Sequence, residues 1–259
     1  MQKTYCVTNQ KGGSGKTTTA VNLAAALGER GVRTLVVDLD SQASASEWLG
    51  AKGDTGAGLL EALTSGAGLG DLVRASTAAG VDLVASGPQM ARAEKRLALA
   101  LEELGADTML RDTLAGLEAD RWDVVLLDCP PSPGRVTMNA LVAACGILAP
   151  VEAHMMAVRG ADALTETVER VRSRVNTGLR VAGILAVRVD ARARHSADVV
   201  ERLRHKFDGL VFESVVRESV RLAEAFAFGQ PVTTYDPKGR GAEDYRAVAA
   251  EFLKREGIK

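Results

Sequence analysis

Cysteine and histidine are scarce in this chain, and their scarcity excludes two kinds of fold. The 259 residues include three cysteines and three histidines. Because the cysteines are odd in number and form no Cys-x-x-Cys pair, neither a disulfide framework nor a structural zinc site is expected. Cys6, Cys129 and Cys145 lie in apolar stretches. This placement is typical of reduced, mostly buried thiols in a cytoplasmic protein.

Long apolar runs and a strong net charge are missing as well. No apolar run approaches the roughly 18 residues of a transmembrane helix. Met1-Gln2-Lys3 leads directly into a strand-like segment, without the pattern of a signal peptide. We therefore expect a cytoplasmic protein. The net charge of −1 neither favours nor excludes a nucleic acid partner.

The charge is distributed unevenly along the chain. Residues 159–221 carry 13 basic and 9 acidic groups, whereas residues 1–158 carry 13 basic and 18 acidic groups. This asymmetry fits a surface that faces a polyanion, and it fits arginine-rich helices exposed to water equally well. Charge alone does not decide between the two interpretations.

The most informative stretch is residues 9–18, Asn-Gln-Lys-Gly-Gly-Ser-Gly-Lys-Thr-Thr. It follows a strand-like apolar run and precedes a helical pattern. Strand, glycine-rich turn and helix are what a phosphate-binding loop requires, since the loop N–H groups and the helix N-terminus point at one anion. We expect Lys16 to contact the β- and γ-phosphates of a nucleotide. Thr17 is expected to place its hydroxyl on Mg²⁺, with Thr18 beside it.

The spacing of this loop is unusual, because Gln10 stands where the common Gly-x4-Gly-Lys-Ser/Thr pattern requires glycine. It matches the deviant form Lys-Gly-Gly-x-Gly-Lys-Thr, which adds Lys11. Glycine-rich turns also follow strands by chance, but here every lysine, glycine and threonine lies at the required spacing. On these residues the chain resembles the ParA/MinD family of deviant Walker A P-loop ATPases. The resemblance implies that ATP is bound by Lys11, Gly12, Gly13, Ser14, Gly15, Lys16, Thr17 and Thr18.

Two further strand-like runs end in aspartate. Residues 32–38 lead into Asp38-Leu39-Asp40, and residues 122–128 end at Asp128. Acidic residues at the carboxyl edge of a parallel sheet lie where α/β folds bind ligands. The resemblance places Asp40 near the attacking water and the metal, and Asp128, at the Walker B position, on Mg²⁺ through a water. A helix cap is the alternative role for Asp40, and Ser41 replaces the family's proline.

Strands and helices alternate along the whole chain. Connections of about 12 or more residues between successive strands predict a mainly parallel, twisted sheet with helices on both faces. We expect this α/β P-loop fold to form a single domain over residues 1–259. The remaining strands are expected at 81–85, 146–151 and 181–189. Helices are expected at 90–104, 109–117, 136–144, 155–175, 198–207 and 243–255, with short helices and loops between 50 and 80.

Arginines cluster after the strand predicted at 181–189. They lie in Asp190-Ala191-Arg192-Ala193-Arg194 and in Val216-Arg217-Glu218-Ser219-Val220-Arg221. The resemblance to the ParA branch implies that Arg192, Arg194, Arg217 and Arg221 hold non-specific double-stranded DNA, and that Arg217 also lies at the nucleotide. Phosphate contacts need only clustered positive charge. Glu218 departs from that branch, which often has arginine there, and solvated surface arginines are the alternative.

Taken together, the resemblance implies a ParA/Soj-type partition ATPase. ATP and Mg²⁺ would assemble a homodimer in which Lys11 reaches across to the partner's ATP. The dimer would bind DNA on the nucleoid. Hydrolysis, dependent on Lys11, Lys16 and Asp40 and stimulated by a ParB-like or cargo-adaptor partner, would release it. The cargo, whether chromosome, plasmid, protein cluster or organelle, is not determined by these motifs.

Other functions share parts of this pattern. A MinD-like membrane-cycling regulator would need an amphipathic C-terminal helix, and only Glu256-Gly257-Ile258-Lys259 follow the core spacing of the last helix, so no stable membrane association is expected. A metabolic P-loop synthetase acting on a small carboxylate is disfavoured by Lys11 and by the arginine cluster. A repressor that binds a specific operator would usually need an N-terminal helix-turn-helix extension.

Overall fold

The computed structural model describes residues 2–99, 107–154, 157–190 and 192–259. At its centre is a seven-stranded sheet, whose strands lie in the spatial order β3-β4-β2-β5-β1-β6-β7. The strands are β1 (Lys3–Val7), β2 (Thr34–Asp38), β3 (Val73–Ala75), β4 (Val81–Val84), β5 (Val124–Asp128), β6 (Gly146–Glu152) and β7 (Arg180–Val187). All neighbours pair in parallel except β3, which is antiparallel to β4. The predicted fold class is therefore confirmed.

Helices connect the strands and cover both faces of the sheet. They are α1 (Lys16–Gly28), α2 (Ser44–Trp48), α3 (Ala57–Ser65), α4 (Ala93–Leu99), α5 (Met109–Ala115), α6 (Arg135–Ala143), α7 (Ala157–Arg172), α8 (Arg194–Lys206), α9 (Val220–Ala227), α10 (Val232–Tyr235) and α11 (Arg240–Glu256). None of these helices, over the residues that the structure describes, is long and apolar enough to span a bilayer.

Alternating side chains of the strands divide the core into two layers. In β1, Tyr5 and Val7 pack in one layer with α1 and α11, whereas Cys6 packs in the other with α3 to α8. All residues of β2 and β5 are buried, which explains why their sequences are apolar without alternation. The central strands β2, β5 and β1 are thereby fixed side by side, and their carboxyl ends lie at one edge.

The structure corrects two details of the predicted elements, and parts of two predicted helices lie outside the described residues. The helix expected at 90–104 begins with a 3₁₀ turn, Pro88–Arg92, and continues as α4, while residues 100–104 lie outside the described ranges. The start expected at Met155 also lies outside them, and α7 begins at Ala157. Within residues 50–80, β3 is an unexpected edge strand. It has only three residues, none of them buried, so it carries little apolar periodicity.

Gly183 provides a test of the packing between β7 and the layer that contains α11. A Cβ atom at Gly183 would lie 2.1 Å from Cε2 of buried Phe212. We expect Gly183→Ala to lower the free energy of unfolding by about 1–3 kcal/mol, because the overpacked core has to shift. Gly160→Ala is the matched control: Gly160 lies in α7 with open space around its Cβ position, so alanine should stabilise by about 0.5–1 kcal/mol. Urea unfolding monitored by circular dichroism measures both; equal midpoints would contradict this packing.

Candidate nucleotide site

The loop between β1 and α1 is held in an open curve by its glycines and by Asn9. Gly13 and Gly15 have φ angles of 72° and 82°, a left-handed conformation that favours glycine. The side chain of Asn9 donates to the carbonyl oxygen of Pro150 at 2.8 Å and accepts from the amide of Lys11 at 3.0 Å. The loop is thus fixed to β6, and the helix N-terminus that follows it is free to meet an anion.

Lys16, the first residue of α1, is buried at the floor of this loop. Its Nζ donates to the carbonyl oxygen of Lys11 at 3.3 Å. Burial lowers the pKa of Lys16, and the carboxylates of Asp128 and Asp40 partly oppose that shift. A desolvated ammonium group held between a loop of N–H groups and carboxylates is suited to a phosphate ligand.

Asp38 and Asp128 face each other at the carboxyl ends of β2 and β5, where they are Cα partners. Asp38 is fully buried and is held by Ser46, whose amide and hydroxyl donate to it at 2.8 and 2.7 Å. The amide of Asp40 donates to its other oxygen at 3.1 Å. Burial raises the pKa of Asp38 to about 6. Asp38 therefore has a structural role, which is to fix the backbone of Asp40 and of Ser46. The sequence motif Asp38-Leu39-Asp40 does not predict this role.

Asp128 differs from Asp38 because its carboxylate has no well-formed hydrogen bond within the part of the chain that the structure describes. Burial raises the pKa of Asp128 well above its usual range, and repulsion by Asp38 adds to this, while the nearby hydroxyl of Thr17 acts in the opposite direction. A buried carboxylate, a hydroxyl and the phosphate of a bound nucleotide all offer oxygen ligands, which Mg²⁺ prefers. The residues present thus fit the magnesium ion that the sequence predicts.

A cavity of about 1160 Å³ opens over this edge of the sheet. The lining includes residues 12–18 and Asp40, residues 188–190 and 216–220, and the apolar surfaces of Trp48 and Phe226. The volume is slightly above the usual range for ligand sites, about 300–1,000 Å³, and accommodates a nucleotide. The lining residues at the end of β7 were not predicted; the rule that ligands bind at the carboxyl ends of parallel strands would have indicated them.

Lys11 lies apart from this arrangement. Among loop residues 11–18, all of which the structure describes, Lys11 does not line the cavity. Its Nζ lies 2.6 Å from Oε2 of Glu152 at the end of β6, and its side chain is 53% exposed. The two lysines of one loop therefore have different surroundings, since Lys16 is buried and lines the cavity, whereas Lys11 is exposed and does not line it.

The four arginines predicted to contact DNA fall into two pairs. Arg192 lies just before α8 and Arg194 is its first residue; both are exposed, and the side chain of Arg192 is 95% exposed. Arg217 lines the cavity, but its guanidinium forms a bidentate pair with Asp244, in which Nη2 donates to Oδ1 at 2.6 Å and Nε donates to Oδ2 at 3.0 Å. Arg221 pairs with Glu224 at 2.6 Å. The first pair is exposed, and its one ion pair within the described residues, from Arg192 to Asp190, is long at 3.9 Å, whereas Arg217 and Arg221 each lie 2.6 Å from a carboxylate oxygen.

Comparison with known proteins is consistent with this geometry. The family profile described as AAA domain matches residues 2–181. Chromosome partitioning protein ParA of Myxococcus xanthus is 40% identical over 255 residues, which cover 98% of this chain and 89% of that protein. Sporulation initiation inhibitor protein Soj of Bacillus subtilis is 37% identical over 252 residues, covering 97% and 98%. A solved structure, cobyrinic acid a,c-diamide synthase from Mycobacterium smegmatis with bound ATP analog and magnesium, is 31% identical with a TM-score of 0.81, covering 99% and 96%.

Replacement of Asp128 tests the metal assignment with two readouts. We expect Asp128→Asn to stabilise the nucleotide-free protein by about 1–3 kcal/mol, because it removes a buried carboxyl group that Asp38 repels and that has no well-formed hydrogen bond among the described residues. The same variant should lose most of the thermal stabilisation that Mg²⁺ adds in the presence of ATP, as measured by differential scanning fluorimetry with and without EDTA. Asp123→Asn, just before the opposite end of β5, is the control and should keep the magnesium effect. An unchanged magnesium effect in Asp128→Asn would remove this residue from the metal site.

Proposed function

We propose, from the premise that this chain belongs to the ParA/Soj family of partition ATPases, that ATP and Mg²⁺ join two copies of it into a dimer that binds DNA without sequence specificity. Membership of this family implies ATP hydrolysis and ATP-dependent partitioning. Dimer formation, DNA binding and stimulation by an activating partner are what we propose in addition. The observation that carries it is the loop with two lysines, of which one faces the cavity of its own subunit and the other does not.

Within one subunit, the cavity residues would bind and orient the nucleotide. The loop N–H groups of residues 12–18 would surround the phosphates, and Lys16 would neutralise charge on the β- and γ-phosphates. Thr17 would hold Mg²⁺ directly and Asp128 would hold it through a water. The metal supplies charge neutralisation of the phosphate oxygens when bound. Arg217 would border the opposite side of the nucleotide, fixed in place by Asp244.

Asp40 is the proposed residue that orients the attacking water. It lies half-buried on the cavity wall, and its Oδ1 accepts from the amide of Gln42 at 3.0 Å. The amide of Asp40 donates to Asp38 and fixes the backbone, so one local hydrogen bond holds the backbone of Asp40 and another holds its side chain. A carboxylate placed in this way can orient or accept a proton from water during phosphoanhydride hydrolysis.

Lys11 would complete the site of the other subunit. Because it lies at the outer surface of the loop, a second copy facing the cavity would bring its own Lys11 towards the first copy's phosphates, and the symmetry of a twofold dimer makes the exchange mutual. The added positive charge would stabilise the negative charge that develops on the transferred phosphoryl group. Catalysis would then depend on Lys11, Lys16 and Asp40 and on the presence of the dimer.

The exposed pair Arg192 and Arg194 supports the DNA part of the proposal. Both lie between β7 and α8 or at the start of α8, and Arg192 also lines the cavity. Nucleotide-dependent dimerisation would therefore bring two such arginine pairs into one assembly. Arg217 and Arg221 would contribute less to this surface, because the carboxylates of Asp244 and Glu224 offset their positive charge. The protein would associate with the nucleoid in its ATP state, and a ParB-like or cargo-adaptor partner would stimulate hydrolysis and release.

A metabolic synthetase is the second candidate, favoured by one comparison: a protein 31% identical to this chain is named cobyrinic acid a,c-diamide synthase. Under that function the cavity would activate a small carboxylate with ATP. ATP consumption that requires a carboxylic acid, measured by phosphate release with and without cobyrinic acid and an ammonia donor, would support it. ATP consumption that is stimulated by DNA and a partition partner instead would support the partition function.

Binding to duplex DNA across salt concentrations tests the proposed surface. With a non-hydrolysable ATP analogue and Mg²⁺, we expect binding to random-sequence DNA that is lost with ADP or without nucleotide. Replacing both Arg192 and Arg194 by alanine should lower the slope of log affinity against log salt by about 2 per subunit, since each phosphate contact contributes roughly 0.9. Fluorescence anisotropy of a labelled duplex gives these slopes.

The control for this measurement is the double replacement of Arg170 and Arg172 by alanine. Both are exposed on α7, so the variant loses the same charge and should keep the parent's slope. If the protein dimerises with the ATP analogue but binds no DNA in any nucleotide state, the DNA part of the proposal is wrong.

A further inference from the structure

Glu152 joins Lys11 to the nucleotide cavity through a three-residue cluster. It is the last residue of β6, and its side chain is 24% exposed. One carboxylate oxygen lies 2.6 Å from Nζ of Lys11, and the other lies 3.0 Å from Nη1 of Arg188. The hydrogen bond from Lys11 is the main reason why the pKa of Glu152 is lowered, and Arg188 adds to the effect. The cluster is therefore a charged network with each carboxylate oxygen paired.

Arg188 has an unusual backbone that ties the cluster to the cavity wall. It follows β7 directly and has a φ angle of 52°, a left-handed conformation that a non-glycine residue rarely adopts. It also lines the cavity. Backbone strain of this kind persists mainly where the surrounding structure enforces it, and such positions cluster at functional sites. The strained position keeps a permanent cation beside Glu152 at the rim of the nucleotide site.

Lys11 cannot occupy two places at once. In the isolated subunit its ammonium group pairs with Glu152, whereas in the proposed dimer it contacts the partner's nucleotide. Because the backbone carbonyl of Lys11 is held by Lys16, the loop itself stays attached to the cavity and only the side chain has to move. When the side chain leaves, Arg188 still satisfies the charge of Glu152. Release of Lys11 therefore exposes no unpaired carboxylate.

We propose that Glu152 is a positioning residue that holds Lys11 within its own subunit until a second subunit binds, so that the Lys11–Glu152 pair opposes premature dimer formation. The inference rests on the ATP-dependent dimer proposed above. The strength of the pair subtracts from the free energy of association, since both lysines of a symmetric dimer have to leave their carboxylates. Arg188 has the opposite effect, because it competes with Lys11 for the same carboxylate.

Two variants with opposite expected effects test this inference. At saturating non-hydrolysable ATP analogue and Mg²⁺, Glu152→Gln should tighten the dimer dissociation constant by up to about tenfold, since one partly exposed ion pair contributes roughly threefold and two are opened per dimer. Arg188→Ala should weaken the dimer by a few fold, because Glu152 then has Lys11 as its main partner. Sedimentation velocity gives both constants. Glu152→Asp, which keeps the charge and shortens the side chain, serves if Glu152→Gln does not fold.

A second measurement detects the pair in the nucleotide-free monomer. Acetylation by an amine-reactive ester, followed by mass spectrometry, should modify Lys11 about threefold faster in Glu152→Gln than in the parent, since an ion-paired amine has to leave its partner before it reacts. Lys52, an exposed lysine far along the chain, is the internal control and should react at the same rate in both proteins.

The outcomes separate the inference from the function on which it rests. If the parent dimerises with the ATP analogue and Glu152→Gln leaves both the dissociation constant and the Lys11 labelling rate unchanged, the holding role of Glu152 is wrong and the proposed function stands. If the parent forms no dimer with the analogue at any concentration, the proposed function fails, and the inference fails with it.

Discussion

Burial of charge at the ends of three adjacent strands is the constraint on which the rest of this structure depends. Lys16, Asp38 and Asp128 are almost completely removed from water, and Asp40 lies at the same edge. Buried charges are costly unless they are paired. Ser46 satisfies Asp38, but Asp128 has no comparable partner among the described residues. A divalent cation together with a polyphosphate supplies the missing charges, which is why this edge of the sheet suits Mg²⁺ and nucleotide together better than either group alone.

The loop between β1 and α1 also carries a second lysine, Lys11, which does not line the cavity. Lys16 faces the cavity from the first turn of α1, while Lys11, five residues earlier, is paired with Glu152 outside it. A single subunit thus contains the groups that bind the nucleotide, whereas Lys11 does not line its own cavity. In the proposed dimer, hydrolysis would be coupled to assembly, because Lys11 would reach a nucleotide only between two copies.

The sequence predicts those parts of the site that depend on local pattern, and it does so for a physical reason. Loop spacing and strand-ending aspartates are local features, so the sequence alone is enough to group Lys16, Thr17 and Asp128. Contacts between distant parts of the chain have no such local pattern: Lys11 and Glu152 are 141 positions apart, and the Arg217–Asp244 pair depends on how α11 packs against the sheet. The left-handed backbone of Arg188 has no signature in composition or periodicity. Strand β3 was not predicted because it has only three residues and none of them is buried.

A mixing experiment tests the central claim that two subunits share each nucleotide site. Lys11→Ala keeps its own Asp40 but cannot supply the crossing lysine, and Asp40→Ala supplies the lysine but cannot orient water in its own cavity. Each variant alone should be inactive in steady-state phosphate release. Mixed in equal amounts, they should regain about a quarter of the parent activity, because half of the symmetric dimers become mixed and each contains one complete site. Activity that stays at the level of the separate variants, although mixed dimers form, would contradict the claim.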